Sequence, residues 1–166
     1  MASHSRVQLF AFEITLHRRC IGGGTDRLAD RVYADAWGEW PTLSVPRDEL
    51  SLSMAIDFDE AFARLVTLER MYAEPDGSFV WTSGREGLSW QVDGNAFEKG
   101  GRVLLVDLKG SCPPEAFDRL LSCFGWPQES LMMQLVRPAL FLEESIFRQH
   151  ALARGIAGDG ETLRPR

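Results

Sequence analysis

The stretch Gly101–Phe124, GRVLLVDLKGSCPPEAFDRLLSCF, reads as a strand running straight into a helix. In Arg102–Lys109, Leu104, Val106 and Leu108 share one face, and Val103, Leu105, Asp107 and Lys109 share the other. Pro113-Pro114 suits a helical first turn, and Phe117, Leu120, Leu121 and Phe124 form an apolar stripe that Gly125-Trp126-Pro127 terminates. The unit has an echo upstream in Leu50–Val66, LSLSMAIDFDEAFARLV. There Glu60-Ala61-Phe62-x-Arg64-Leu65 falls on Glu115-Ala116-Phe117-x-Arg119-Leu120, 55 residues later.

Working outward, Leu50, Leu52, Met54 and Ile56 alternate with small or polar letters and predict a strand. Asp57 caps the helix after it, with Glu60 as capping-box partner and a stripe of Phe62, Leu65, Leu68 and Tyr72. A meander is expected next, over Ser78–Thr82, Leu88–Asp93 and Arg102–Lys109, with SGREG and DGNAFEKGG as its connections. Leu131–Val136 closes the set. The order over about 50–136 predicts an α+β domain: an antiparallel sheet with helices on one face, in a ferredoxin-like split βαβ arrangement with one extra hairpin strand.

The flanks join the same single domain, 1–153, with 1–49 as an N-terminal extension packed on the core. Val7–Leu16 alternates as a half-buried strand, and Gly22-Gly23-Gly24 is a flexible break. Thr25–Trp37 repeats its apolar letters at helical spacing and favours a helix, although RVYADAW also serves as a strand. Leu142, Ile146, His150 and Ala153 stripe a last helix within 138–153, and 154–166 reads as a flexible tail.

Composition narrows the function. The formal charge is −6, and residues 51–130 hold 13 acidic against 7 basic side chains. An acidic surface repels phosphate backbones, which argues against nucleic acid and suits a basic protein partner. No apolar run approaches membrane-spanning length, and the charged N-terminal stretch is not a signal peptide. Three cysteines without regular spacing argue against a disulfide framework, and together these features place the chain in the cytoplasm.

Chemistry-bearing residues are few. Cys112 aligns with Asp57 in the repeat, at a helix N-cap that would lower a thiol pKa; the plainer reading is a small capping residue. As a nucleophile it would need a base, and His17 or His150 must come from elsewhere in the fold. His150 lies on its helix's apolar stripe, as a buried, hydrogen-bonded imidazole would. Asp107, with Gln91, Asp93 and Gln134, would gather on the second sheet face, either as a pocket with an acid–base carboxylate or as a solvated surface. Trp81 and Trp90 would pair across the meander, as core or as a partner-binding patch. The Gly22–Asp26 run lacks the Lys-Ser/Thr of a phosphate loop, and no metal-ligand spacing occurs, so neither cofactor nor metal is expected.

The leading expectation is therefore a protein-binding, adaptor or inhibitor-type domain with an acidic surface. The alternative is an enzyme or small-molecule binder using the sheet face around Asp107 with Cys112 nearby. A third reading is a homodimer paired through exposed strand edges.

Overall fold

The computed structural model describes residues 8–20 and 28–156. Nine strands form one sheet in which every pairing is antiparallel: β1 (Phe10–Arg18), β2 (Leu28–Asp35), β3 (Gly38–Leu43), β4 (Met71–Ala73), β5 (Ser78–Thr82), β6 (Gln91–Lys99), β7 (Arg102–Cys112), β8 (Leu131–Leu135) and β9 (Leu140–Glu143). Their order is β2-β3-β9-β8-β1-β7-β6-β5-β4. Three helices join them: α1 (Phe58–Leu65), α2 (Pro114–Ser122) and α3 (Glu144–Ile156). No helix of the described residues is long and apolar enough to cross a membrane.

The alternation in β1 sets the layers. Phe10, Phe12, Ile14 and Leu16 are buried, and Phe12 meets both Phe117 of α2, at 5.3 Å between ring centroids, and Phe147 of α3, at 6.2 Å. Arg64 of α1 donates to the Ser122 carbonyl at the end of α2, so the three helices share this side of the sheet. Fully burying one such phenylalanine contributes about 3 kcal/mol, and this aromatic cluster is the centre of the core.

The α+β class agrees with the sequence reading, while several elements differ from it. Leu50–Ile56 is not a ladder strand: Arg47–Ser51 is a 3-10 turn, and Met54 and Ile56 then bond only to Val103. The reason is competition. β1 occupies that flank of β7 from Leu105 onward, leaving only the first residues of β7 for the 54–57 segment. The four-strand ferredoxin-like order therefore does not emerge from 50–136. What the sheet does contain is β7–α2–β8 with β1 inserted between the two strands.

Residues 28–35, expected as helix, are β2, hairpinned to β3 by Ala36-Trp37. Helix α1 stops at Leu65, and Arg70 takes a positive φ of 61° to turn the chain into β4, so Tyr72 is an exposed strand residue rather than part of a helical stripe. The middle meander strand is Gln91–Lys99 instead of Leu88–Asp93, with its turn at Gly100-Gly101, where φ is 60° and 80°. That double positive φ is the hairpin geometry glycine permits. Strand β9 forms before α3, and α3 runs on to Ile156. The Gly22–Gly24 break and the tail beyond 156 lie outside the described residues.

Candidate functional site

Because Phe12, Ile14 and Leu16 face the helices, Glu13, Thr15 and His17 face the other way. The ladder lines their neighbours up in rows. Gln134, Thr15, Asp107 and Asn95 are in register across β8, β1, β7 and β6, and Glu13, Lys109 and Asp93 form the next row. Thr15 Oγ1 donates to Asp107 Oδ1 at 2.8 Å, and Gln91 Nε2 donates to Asp93 Oδ1 at 3.1 Å. Glu13, Thr15, Asp93, Asn95, Asp107 and Lys109, with Val136, line an open hollow of about 380 Å³. Three carboxylates surround one lysine there.

One end of this face is covered. Leu43, Met132 and Phe141 form a small second core with Val45 and Leu50 packed on it. The His17 ring meets Phe141 at 5.4 Å, and its Nε2 finds no hydrogen-bond partner among the described residues. Burial pushes the imidazole pKa below its ordinary 6.5, and the Gln134 side chain and the Asp107 charge oppose that only in part.

The other end opens into a second cleft, of about 440 Å³, built around a pair that no local motif announces. His150 of α3 places Nε2 2.7 Å from Oδ2 of Asp35, the last residue of β2. Asp35 Oδ1 accepts from the Trp37 backbone N–H at 2.9 Å and from Trp40 Nε1 at 3.0 Å. The imidazole meets the edges of Trp37 and Trp40 at 5.6 and 5.0 Å, and the Arg154 guanidinium lies 4.9 Å over Trp37. Burial pushes the Asp35 pKa up, but donors from Trp40, His150 and Trp37 outweigh it and hold the carboxyl below the usual range. Glu13, Lys109 and Val136 border both hollows, so the sheet face and the cleft adjoin.

The residues singled out from the sequence are distributed unevenly. Asp107, Asp93, Gln91 and Gln134 come to the open face. His150 is buried in the wall of the cleft, 2% exposed. Trp81 lies in the core on the helix side, donating Nε1 to the Glu69 carbonyl, with Arg119 of α2 over its ring. Trp90 is half-buried against it, edge-on at 5.0 Å, so this pair packs away from the polar face. Cys112 is not a helix cap: it ends β7, fully buried, and the N-cap position belongs to Pro113. Burial pushes its thiol pKa far up, the reverse of what a nucleophile needs. Cys123 is pushed up to about 11 by burial and donates Sγ to the Arg119 carbonyl.

Asp35 is the residue sequence reasoning missed. Its signal is short-range: an aspartate two positions before a backbone N–H it caps, in the manner of an Asx turn. Its partner lies 115 residues away. Among the described residues, no group of three His, Cys, Asp or Glu side chains converges as a metal site requires.

The chain matches no family model, no curated protein and no solved structure.

Proposed function

We propose that this chain is a protein-binding domain that receives a basic segment of a partner on the open sheet face. The observation that carries the reading is the row structure of that face. With all three helices on the other side, Glu13, Asp93 and Asp107 stand around Lys109 in a shallow hollow, and both aspartates belong to the stretch 51–130 that carries the acidic excess. A basic segment laid across β1, β7 and β6 would meet these carboxylates at sheet spacing, and their fields would speed and orient its approach. An adaptor- or inhibitor-type role, with the face covering a basic site on its partner, fits the same charge.

A small-molecule role for the region around Asp107 is favoured by the hollow's volume alone. Its thiol-catalysed version has no support, because Cys112 is sealed in the core.

The test is capture of partners from the native lysate on immobilised protein at about 50 mM and about 500 mM salt, with the wild type and an Asp93→Lys/Asp107→Lys variant side by side. The reading expects a stoichiometric partner that both high salt and the variant release. A partner retained equally by both proteins would place the interface elsewhere.

A further inference from the structure

We propose that the cleft beside His150 is a second binding site, for a small planar monocarboxylate, with Arg137 as the residue that takes its charge. The charges in the cleft reduce to a simple balance. Asp35 lines the wall, but its oxygens accept three hydrogen bonds from Trp37, Trp40 and His150, so its charge is met within the protein. Glu13 and Lys109 stand opposite each other in the β1–β7 ladder at the mouth, one of each sign. Arg154 is held over the Trp37 ring, a contact that fixes its guanidinium and leaves its positive charge beside the cleft. Arg137 is left: it is exposed on the turn after β8, borders the cleft, and makes no hydrogen bond or ion pair with another described residue. A guanidinium presents a planar fork of donors that matches a carboxylate in two-point contact.

The opposite wall suits the body of such a ligand. Trp37 and Tyr33 are half-buried and border the space. Trp37 is braced three ways: by its N–H on Asp35, by the His150 edge and by Arg154 above it. A wall fixed before the ligand arrives loses little freedom on binding. At about 440 Å³ the cleft falls within the range of small-molecule sites. A dianionic phosphate is the poorer match, because it has no apolar body to lie against Trp37 and Tyr33 and because Glu13 borders the same cleft.

The probes are benzoate and 1-naphthoate, their uncharged amides, and inorganic phosphate, titrated calorimetrically into the full chain. The expected result is 1-naphthoate binding with a dissociation constant below about 1 mM, with the amide and phosphate at least about tenfold weaker. Arg137→Ala should weaken naphthoate about tenfold and Arg137→Lys by less, with an unchanged melting temperature because the side chain is on an exposed turn. Asp93→Lys/Asp107→Lys, which disrupts the face proposed for the partner, adds positive charge beside Lys109 and should not weaken naphthoate binding, so the two proposals fail separately. Equal binding of acid and amide, preference for phosphate, no effect of Arg137→Ala, or no binding of either carboxylate would each overturn the inference.

Discussion

His150 and Asp35, 115 residues apart, meet at 2.7 Å and fasten the C-terminal helix to the β2–β3 hairpin. An ionised carboxylate only accepts, so the Nε2 nitrogen carries the proton in this contact. Both side chains are under a tenth exposed. Removing one partner leaves buried donors unmet, which is costlier than the pair is worth.

Asp35→Ala should therefore destabilise the fold by about 3 kcal/mol, since it strips an acceptor from His150, Trp40 and the Trp37 N–H together. Urea unfolding measures it. A double-mutant cycle with His150→Gln should show the two changes to be non-additive. Additive losses would mean that the pair does not couple. Because the folded pKa of Asp35 is depressed, its contribution is complete above the ordinary carboxylate value of 3.8 and is lost as pH falls through the lowered one.

His17 predicts a second pH effect, at milder acidity. Its folded pKa lies below 6.5, so just under that pH the unfolded chain binds a proton that the folded chain refuses. Stability should fall as pH drops from 6.5 through the lowered value. Unfolding midpoints from about pH 7.5 to about pH 5 should show a flatter profile for His17→Gln. Parallel profiles for the two proteins would show that the imidazole does not contribute.

Gly94 predicts a purely steric loss. It lies in β6 beneath the Phe79 ring, and a Cβ there would come within 2.0 Å of that ring. Gly94→Ala should destabilise by about 1–3 kcal/mol despite the gain in β propensity, and a smaller side chain at Phe79 should recover part of the loss. Thermal melts of the single and double variants test this.

The thiols should separate by burial. Cys20 is half-buried, while Cys112 and Cys123 are buried with raised pKa values. Near about pH 8, iodoacetamide followed by peptide mass spectrometry should label Cys20 first, and the other two only after unfolding. Labelling of Cys112 in the native protein as fast as Cys20 would contradict its place in the core.

The legible parts of this fold are those where local pattern and final environment agree. Ser78–Thr82 has the ends its letters predict, and Pro113-Pro114 opens α2 at the expected place. The polar row through Asp107 and Gln134 was legible because alternation along a strand assigns faces directly. Elsewhere the decision is tertiary. Val32/Tyr33 and Ala36/Trp37 fit a helix as well as a strand, and what settles them is a partner, β3, with Asp35 capping the turn between. Gly94-Asn95 looks like loop material, yet Gly94 serves the packing of Phe79 and the turn falls at Gly100-Gly101. Leu50–Ile56 has a strand's alternation and loses its place in the sheet to β1. The Asp35–His150 pair depends on two segments meeting across the whole chain, and no window of sequence contains it.

The insertion of β1 between β7 and β8 has a consequence for the order of assembly. β1 emerges from the ribosome before the other strands of the described residues, yet Thr15 finds Asp107 only 92 residues later, and Gln134 later still. Until then its apolar side has no neighbouring strand and no α2 to cover it. Long-range closure of this kind slows folding and prolongs exposure of sticky surface. The strand at the middle of the finished sheet is thus the one that waits longest, and a nascent chain cut short before β8 would be the species most in need of a chaperone.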